Sequence, residues 1–472
     1  MKKVLLTGAS GYIGKRLLTK LIQQDYYVIC GVRDLNRFRI KDYMKEKVEV
    51  IELDLLKKES FNNIPKDING AYYLVHSMSQ SSDYIQLELN SAINFKNYIQ
   101  KTNCEHVIYL TGIANEKKLS NHLNSRLLVE KILSKGKFNF TALRAGIIIG
   151  SGSASFEIIR DLVEKLPIMV TPKWLNTKCQ PIGITSVLEI LTLSLFNSKT
   201  YNKNFDVGGS NILTYKDMLL GFARIRGLKR YIFTLPIMTP KLSSYWLYFV
   251  TSTSYKLAIA LVDSMKVEVI CRNLEILNIL DLQSENYDTS LKKAFSKISG
   301  NMVISSWKDS FSSSNLNVML PEMIKAPKFG CFIDKRSRKF SNKNITLNKI
   351  WSIGGETGYY YGNVLWRIRG FLDKLFGGVG LRRGRTNLNH INAGDALDFW
   401  RVLYANKEEG RLLLYTEMKL PGDAWLEFKI LNDNVIQTAT FRPTGVWGRL
   451  YWFAVIPFHH IIFRNMLKKL CE

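Results

Sequence analysis

The feature that most limits what this chain can fold into lies at its start. A short apolar run, Lys3-Val4-Leu5-Leu6, leads directly into Thr7-Gly8-Ala9-Ser10-Gly11-Tyr12-Ile13-Gly14, and a helical pattern follows to Gln24. The glycines are spaced GxxGxxG, and at a strand-to-helix junction each has a task. Gly8 permits the tight turn off the strand, Gly11 lets backbone approach a phosphate, and Gly14 lets the helix lie close to the sheet. A helix beginning near Tyr12 then aims its unpaired N–H groups and the positive end of its dipole at an anion. Thr7, Gly8, Ser10, Gly11, Tyr12, Ile13 and Gly14 are therefore the predicted cradle for a dinucleotide pyrophosphate.

The chain up to Gly150 supports that reading. Strands are predicted at Lys3–Thr7, Tyr27–Val32, Val48–Leu53, Ala71–Val75, His106–Thr111 and Thr141–Ile149, with helices at Tyr12–Gln24, Tyr84–Lys101 and Asn121–Lys135 between them. This alternation predicts an α/β fold, a doubly wound parallel Rossmann sheet whose apolar strands are covered on both faces. Arg33 ends the second strand and Asp34 follows it. An acidic residue about 20 positions past the loop suits the ribose 2′-hydroxyl of NAD, and an arginine suits the 2′-phosphate of NADP. Arg33 comes first, so NADP is the expected cofactor and NAD the alternative. Asp54 follows the third strand, either to meet the adenine amino group or to cap a helix before Leu55-Leu56. His76 and Ser77 stand at the carboxyl end of the fourth strand, on the rim where such sheets bind ligands, or in a plain strand-end turn.

Beyond Gly150 the texture changes twice. Phe156–Leu166, Val187–Phe196, Tyr215–Arg226 and Ser254–Val269 read as helices and Lys203–Val207 as a strand, together a substrate lobe spanning about 151–312. Residues 313–328, rich in Ser and Asn and containing Pro321 and Pro327, read as a linker, which gives domains at 1–312 and 329–472. Six of the nine tryptophans follow residue 350. There Asp395–Tyr404, Arg411–Lys419, Ala424–Leu431 and Val435–Phe441 alternate as an antiparallel meander, after an amphipathic helix at Trp366–Phe376 and before a long apolar helix at Gly448–Leu470.

Composition bounds the partners. Lys and Arg number 66 against 40 Asp and Glu, a formal charge of +26. The surplus points to anionic partners, but its tightest clusters, Lys335–Lys339 and Arg382–Arg385, adjoin no nucleic-acid module and read as solvated basic faces, so no nucleic-acid partner is expected. The six cysteines form no CxxC pair, no metal-ligand cluster is visible, and a reduced, cytoplasmic compartment is expected. No segment reaches the ~20 apolar residues of a membrane span. Tyr245–Val262 and Leu450–Phe463 come partway and suit at most a peripheral contact with the inner face of a membrane.

Four segments carry a family resemblance: Leu6–Gly14; Tyr73-Leu74-Val75-His76-Ser77-Met78; Ile148–Glu157 with its Gly150-Ser151-Gly152-Ser153 core; and Gly445-Val446-Trp447-Gly448-Arg449-Leu450-Tyr451-Trp452. In them the chain resembles the atypical short-chain dehydrogenase/reductases, and more closely bacterial NAD(P)-binding proteins with a C-terminal domain of unknown function. The resemblance implies an NADP-dependent oxidoreductase acting on a hydrophobic carbonyl or quinone-like substrate. It also implies an α+β C-terminal domain similar to the START and polyketide-cyclase helix-grip superfamily, with Trp400, Trp425 and Phe428 lining an apolar cavity. Short-chain reductases use a Tyr and a Lys four residues later on one helix. Here His122 stands in the Tyr position, Arg126 in the Lys position, and Thr111 where a Ser usually ends the fifth strand. Arg144 falls in the sixth-strand segment that flanks the nicotinamide in that family, or serves as a salt-bridge partner. The departure from Tyr and Lys leaves a second function open: a nucleotide-sensing, apolar-ligand-binding protein without turnover.

Overall fold

The computed structural model describes residues 1–35, 38, 40, 42–75, 84–115, 121–235, 247, 259, 262–299, 326–327, 330–383 and 391–472. The chain divides into two compact units, Met1–Trp307 and Lys308–Glu472.

In the first unit the strands are β1 (Lys3–Thr7), β2 (Tyr27–Val32), β3 (Val48–Glu52), β4 (Gly70–Tyr73), β5 (His106–Gly112) and β6 (Asn139–Ala145), interleaved with helices α1 (Tyr12–Gln23), α2 (Tyr84–Ile99) and α3 (Asn121–Leu133). Within the substrate lobe lie β7 (Ile148–Ile149), α4 (Ala154–Lys165), β8 (Ile168–Pro172), β9 (Lys178–Cys179), β10 (Ile182–Gly183) and α5 (Ile184–Ser194). They are followed by β11 (Lys203–Val207), β12 (Leu213–Thr214), α6 (Tyr215–Ile225), β13 (Tyr231–Leu235), α7 (Glu275–Ile279) and α8 (Tyr287–Ser299). The central sheet has seven strands in the order β11-β6-β5-β4-β1-β2-β3, all paired in parallel.

Alternation along β1 sorts its side chains to opposite faces. Val4 and Leu6 pack with Leu17 and Leu21 of α1 and Val187 and Leu191 of α5. Leu5 packs with Phe95 and Ile99 of α2 and Val129 and Leu133 of α3. Two expectations about the lobe change. Lys203–Val207 is the seventh strand of the central sheet, with Lys203 opposite Thr141 and Val207 opposite Ala145. A parallel ribbon, β8 with β13, forms where the sequence showed no strand signal. Ile168, Val170, Tyr231, Phe233 and Leu235 on it are exposed, while Met169 and Ile232 on its other face pack into the lobe core. Of the predicted helix at Ser254–Val269, residues 254–258, 260 and 261 lie outside the described residues; residues 262–264 are helical, but 265–269 are not, and Val269 instead pairs with Cys179. Most of the 313–328 linker also lies outside the described residues.

In the second unit a six-stranded sheet runs β14-β19-β18-β17-β16-β15, antiparallel in every pair. Its strands are β14 (Phe332–Lys339), β15 (Ala396–Leu397), β16 (Trp400–Asn406), β17 (Arg411–Thr416), β18 (Gly422–Leu431) and β19 (Asn434–Pro443). The helices are α9 (Lys343–Trp351), α10 (Asn363–Leu375) and α11 (Gly445–Cys471). The basic cluster Lys335–Lys339 belongs to β14, an edge strand, where charged side chains discourage pairing with another chain. One face of the sheet packs against the helices: Trp400, Leu414 and Phe428 share a core with Ile350, Trp366, Phe463 and Leu470. Trp425 does not join them. It lies with Leu403, Leu413 and Tyr415 in a separate cluster. Residues 425 and 428 are an odd number of positions apart on β18, so the pleat sends them to opposite faces, and they cannot line one cavity as expected.

Candidate functional site

The strand order reverses between β1 and β4, which opens a crevice at their carboxyl ends. The glycine loop sits there. Gly8 has φ of +71°, and a Cβ on it would lie 2.8 Å from the Leu74 carbonyl oxygen just past β4. A Cβ on Gly14 would lie 2.2 Å from Gly8 O, so the start of α1 is seated on the loop itself. Gly11 N–H donates to Gly8 O at 2.9 Å and closes the turn. Gly11 is the N-cap of α1 and provides no side-chain cap, and the first turn of α1 carries no acidic residue. The start of the helix thus has no side-chain cap and no carboxylate of its own, the arrangement that receives an anion.

The predicted cradle residues divide by role. Thr7 is buried, and its hydroxyl donates to Tyr72 O at 2.8 Å. It braces β1 to β4 and holds the crevice in register. Ser10 is exposed, and Gly11, Tyr12 and Ile13 are partly so. Tyr12 turns into the protein: Arg16 stacks on its ring at 4.3 Å, and burial, partly offset by Arg16, pushes its hydroxyl pKa up to about 12. Arg16 in turn donates to Ser151 O at 2.9 Å. A Cβ on Gly150 would meet the Tyr12 hydroxyl at 2.6 Å. The Gly150–Ser153 segment is thus brought against the first helix of the nucleotide loop. There Ser153 caps α4 by accepting from Phe156 N, and Glu157 accepts from Gly152 N.

At the outer strands, Arg33 is exposed at the end of β2. Asp54 uses one carboxylate oxygen to accept from Leu56 N at 3.1 Å, which closes a local turn and caps no helix, because residues 55 and 56 are not helical and the next helical turn begins at Lys58 with Lys57 before it. His76 and Ser77 lie outside the described residues. His122 lies in the first turn of α3, but its side chain is outside the described set. Arg126, four residues on, comes to the end of β5: its Cδ lies 4.0 Å from where a Cβ on Gly112 would stand. Among the described residues its Nε is buried without a hydrogen-bond partner of good geometry, and so is the Oγ1 of Thr111, one residue before Gly112. The structure therefore gathers Thr111 and Arg126 at one strand end. Arg144 is not available to a ligand. Its guanidinium makes a two-pronged pair with Glu130 at 2.7 and 3.0 Å, both side chains buried.

A neighbouring network went unnoticed in the sequence. Asp206, at the carboxyl end of β11, accepts from Arg272 through both of its oxygens and from Asn115 at 2.8 Å. Burial pushes the carboxyl up, and the hydrogen bonds from Arg272 and Asn115 together, with the Arg272 charge, hold it below its ordinary range. Its members are 91 and 66 residues apart in the chain, and no local motif announces them.

Comparisons with known proteins fall into two blocks. Residues 4–119 match the NAD dependent epimerase/dehydratase family. Residues 330–466 match a family described as protein of unknown function, DUF2867. No curated protein matches the chain significantly. Among solved structures, the chain is similar to a nucleoside-diphosphate-sugar epimerase from Staphylococcus aureus, 15% identical, with 62% of this chain and 100% of that one covered at a TM-score of 0.52. It is similar to triphenylmethane reductase from Citrobacter sp., 15% identical, covering 62% and 99% at 0.52. An epimerase from Methanothermobacter thermautotrophicus is 12% identical, covering 64% and 93% at 0.51. The first unit has the NAD(P)-binding epimerase/reductase fold, and an antiparallel-sheet domain follows it.

Proposed function

We propose that the first unit binds NADP(H), with NAD(H) the weaker ligand, and that the chain is an oxidoreductase reducing a hydrophobic carbonyl or quinone-like compound. The observation that carries this reading is the uncapped start of α1 on a glycine turn that leaves no room for side chains at Gly8 and Gly14, at the switch point of the sheet. Gly8, Ser10, Gly11, Tyr12, Ile13 and Gly14 hold the pyrophosphate, chiefly through backbone. Arg33 pairs with the 2′-phosphate, Asp54 keeps one oxygen for the adenine side, and His76 belongs to the rim. A bound nicotinamide supplies the hydride. His122 supplies the proton: an imidazole titrates near neutrality and needs no pKa depression to act as a general acid. Arg126 orients the ribose, and the unsatisfied Thr111 hydroxyl polarises the substrate oxygen.

The second unit is read as a helix-grip domain that takes an apolar ligand, a reading supported by its single antiparallel sheet with helices on one face. One observation favours a nucleotide sensor without turnover. Tyr12, Tyr72, Tyr73 and Tyr109, the buried tyrosines around β1, β4 and β5, all have their hydroxyl pKa raised by burial, the reverse of what a catalytic tyrosine needs. NADPH oxidation in the presence of quinones, aldehydes and enones tests the proposal. His122→Ala should cut turnover about 10²–10⁴-fold while nucleotide affinity stays within a few fold. If no compound is reduced above background, or the variant is as active as the parent, the sensor reading replaces it.

A further inference from the structure

Helix α10 is amphipathic in the wrong sense for a helix that only packs on a core. Val364, Leu365, Ile368, Phe371, Leu372 and Leu375 recur at the spacing of one helical face, and all are exposed, whereas Asp373 and Lys374 are buried. Asp373 is buried because it is occupied: it accepts from Gly380 N and Lys419 N, each at 2.8 Å. The first half of α11 repeats the pattern with exposed Val446, Trp447, Leu450, Phe453, Phe458 and Ile461, a stripe about 20 Å long. Trp447 is 78% exposed. The two helices are neighbours, with Arg369 over the Tyr451 ring at 5.1 Å and Trp366 beside Phe463 at 6.2 Å. Among the described residues, thirteen of the 31 exposed large apolar side chains lie on these two helices, far more than scattered surface hydrophobes would place there.

The exposed charge on these two helices has one sign. Helix α11 contains Arg449, Arg464, Lys468 and Lys469 and no acidic residue, and the acidic residue of α10 is the buried Asp373. Where the α11 stripe ends, Ile461 lines a cavity of about 280 Å³ together with Arg338, His460, Arg464, Asn465 and Lys468. Arg338 and Arg464 have no carboxylate partner among the described residues, while Lys468 is shared with Glu472 at 3.7 Å. Arg336 donates to His460 O and approaches its ring, but its charge is taken up by Asp334, which it meets through two hydrogen bonds at 2.8 and 2.9 Å. No helix among the described residues is long and apolar enough to cross a membrane.

We infer that the α10 and α11 faces of the second unit dock on an anionic phospholipid bilayer, the apolar stripes entering the acyl boundary and the Arg338–Arg464–Lys468 cavity receiving a lipid phosphate. The charge pattern selects this occupant: an apolar stripe whose own helices carry exposed cations and no exposed carboxylate, with Asp334 and Glu472 beside them already paired with Arg336 and with Lys468 and Lys469, matches a surface that is apolar inside and anionic at the rim, and an exposed tryptophan suits that interface. The inference is independent of the nucleotide site.

Flotation of the full chain with vesicles of phosphatidylcholine alone, and of phosphatidylcholine with phosphatidylglycerol, tests it. Binding is expected to the anionic vesicles and to be at least about tenfold weaker to the neutral ones. Trp447→Ser with Phe453→Ser should weaken binding at least about tenfold, and since both side chains are exposed the melting temperature should not fall. Arg464→Glu should remove the preference for phosphatidylglycerol. Brominated lipids should quench tryptophan emission in the parent and less in Trp447→Ser. The inference is overturned if the full chain ignores anionic vesicles, or if the Trp447 and Phe453 substitutions leave flotation intact. It is also overturned if they instead abolish a concentration-dependent dimer, which would make the occupant a second copy.

Discussion

The glycine loop allows a folding role to be separated from a binding role by adding one methyl group at two positions. A Cβ on Gly14 would stand 2.2 Å from the Gly8 carbonyl oxygen, 1.2 Å inside the 3.4 Å where ordinary contact begins, and the neighbour is backbone with nowhere to go. Gly14→Ala must therefore lift α1 off its turn. Overpacking of this kind costs about 1–3 kcal/mol, and at roughly 2–4 °C per kcal/mol for a domain of this size the melting temperature should fall by several degrees. Gly11→Ala is different. Its φ of −77° is open to any residue, and its Cβ would meet only Gly8 O, at 3.1 Å. Stability should change by less than about 1 kcal/mol, and the stiffer unfolded chain partly offsets the tight contact. The methyl nevertheless occupies the approach of a phosphate to the helix start, so NADPH affinity should fall at least about tenfold, or 1.4 kcal/mol. Thermal melting with and without NADPH, followed by calorimetry, reads both quantities. If Gly11→Ala melts like the parent and binds NADPH like the parent, the loop is a structural turn and the reasoning fails.

Arg33→Ala should erase a preference for NADPH over NADH of about ten- to hundredfold, the worth of a charge-assisted pair, and equal affinity in the parent would remove the basis for choosing NADP. A fragment ending near Ser313 should keep nucleotide binding, and one starting near Lys325 should fold as a β-rich domain that binds an apolar fluorescent dye saturably; insolubility of the first would show that the units do not fold apart. His106 predicts an acid transition: buried, it accepts from Phe196 N at Nδ1 and shares its other nitrogen with Thr141 Oγ1, and burial lowers its pKa from 6.5 to about 4. The unfolded chain takes the proton first, so this contribution, up to roughly 3 kcal/mol, is intact above pH 6.5 and is lost as pH falls toward 4. His106→Gln should be less stable at pH 7 and show a shallower loss between those limits, and a parallel pH profile would refute the assignment.

The central sheet was legible because local signals agree there. The β1 and β2 limits match the expected ones at both ends, and α1 to α3 start where expected, since a parallel strand covered on both faces is an unbroken apolar run between turns. The glycine loop was legible for the same reason: backbone space is a local property that residue type controls. Within the site, the spacing of Arg126 from His122 was readable as one helical face, but not that Arg126 and Thr111 meet at the end of β5 with unsatisfied polar atoms. The Asp206–Arg272–Asn115 network was invisible because its members meet only after the chain has folded.

Periodicity identifies which residues share a face, not which face is covered. That limit explains the misplaced elements. The sequence marks an apolar stripe on α10, and only tertiary packing decides that Trp366 and Gly370 turn inward while Val364, Ile368 and Phe371 stay outside. The alternation along β18 separates Trp425 from Phe428, but the helices that pack against one side of the sheet determine that Phe428 joins the main core. Lys203–Val207 was recognisable as a strand, and its place as the seventh of the central sheet depends on pairing with a strand about 60 residues away. The sequence by itself determined the glycine turn and the doubly wound sheet, because each rests on neighbours in the chain. The tertiary structure decided which faces meet, because burial is settled by contacts between segments that the sequence does not place side by side.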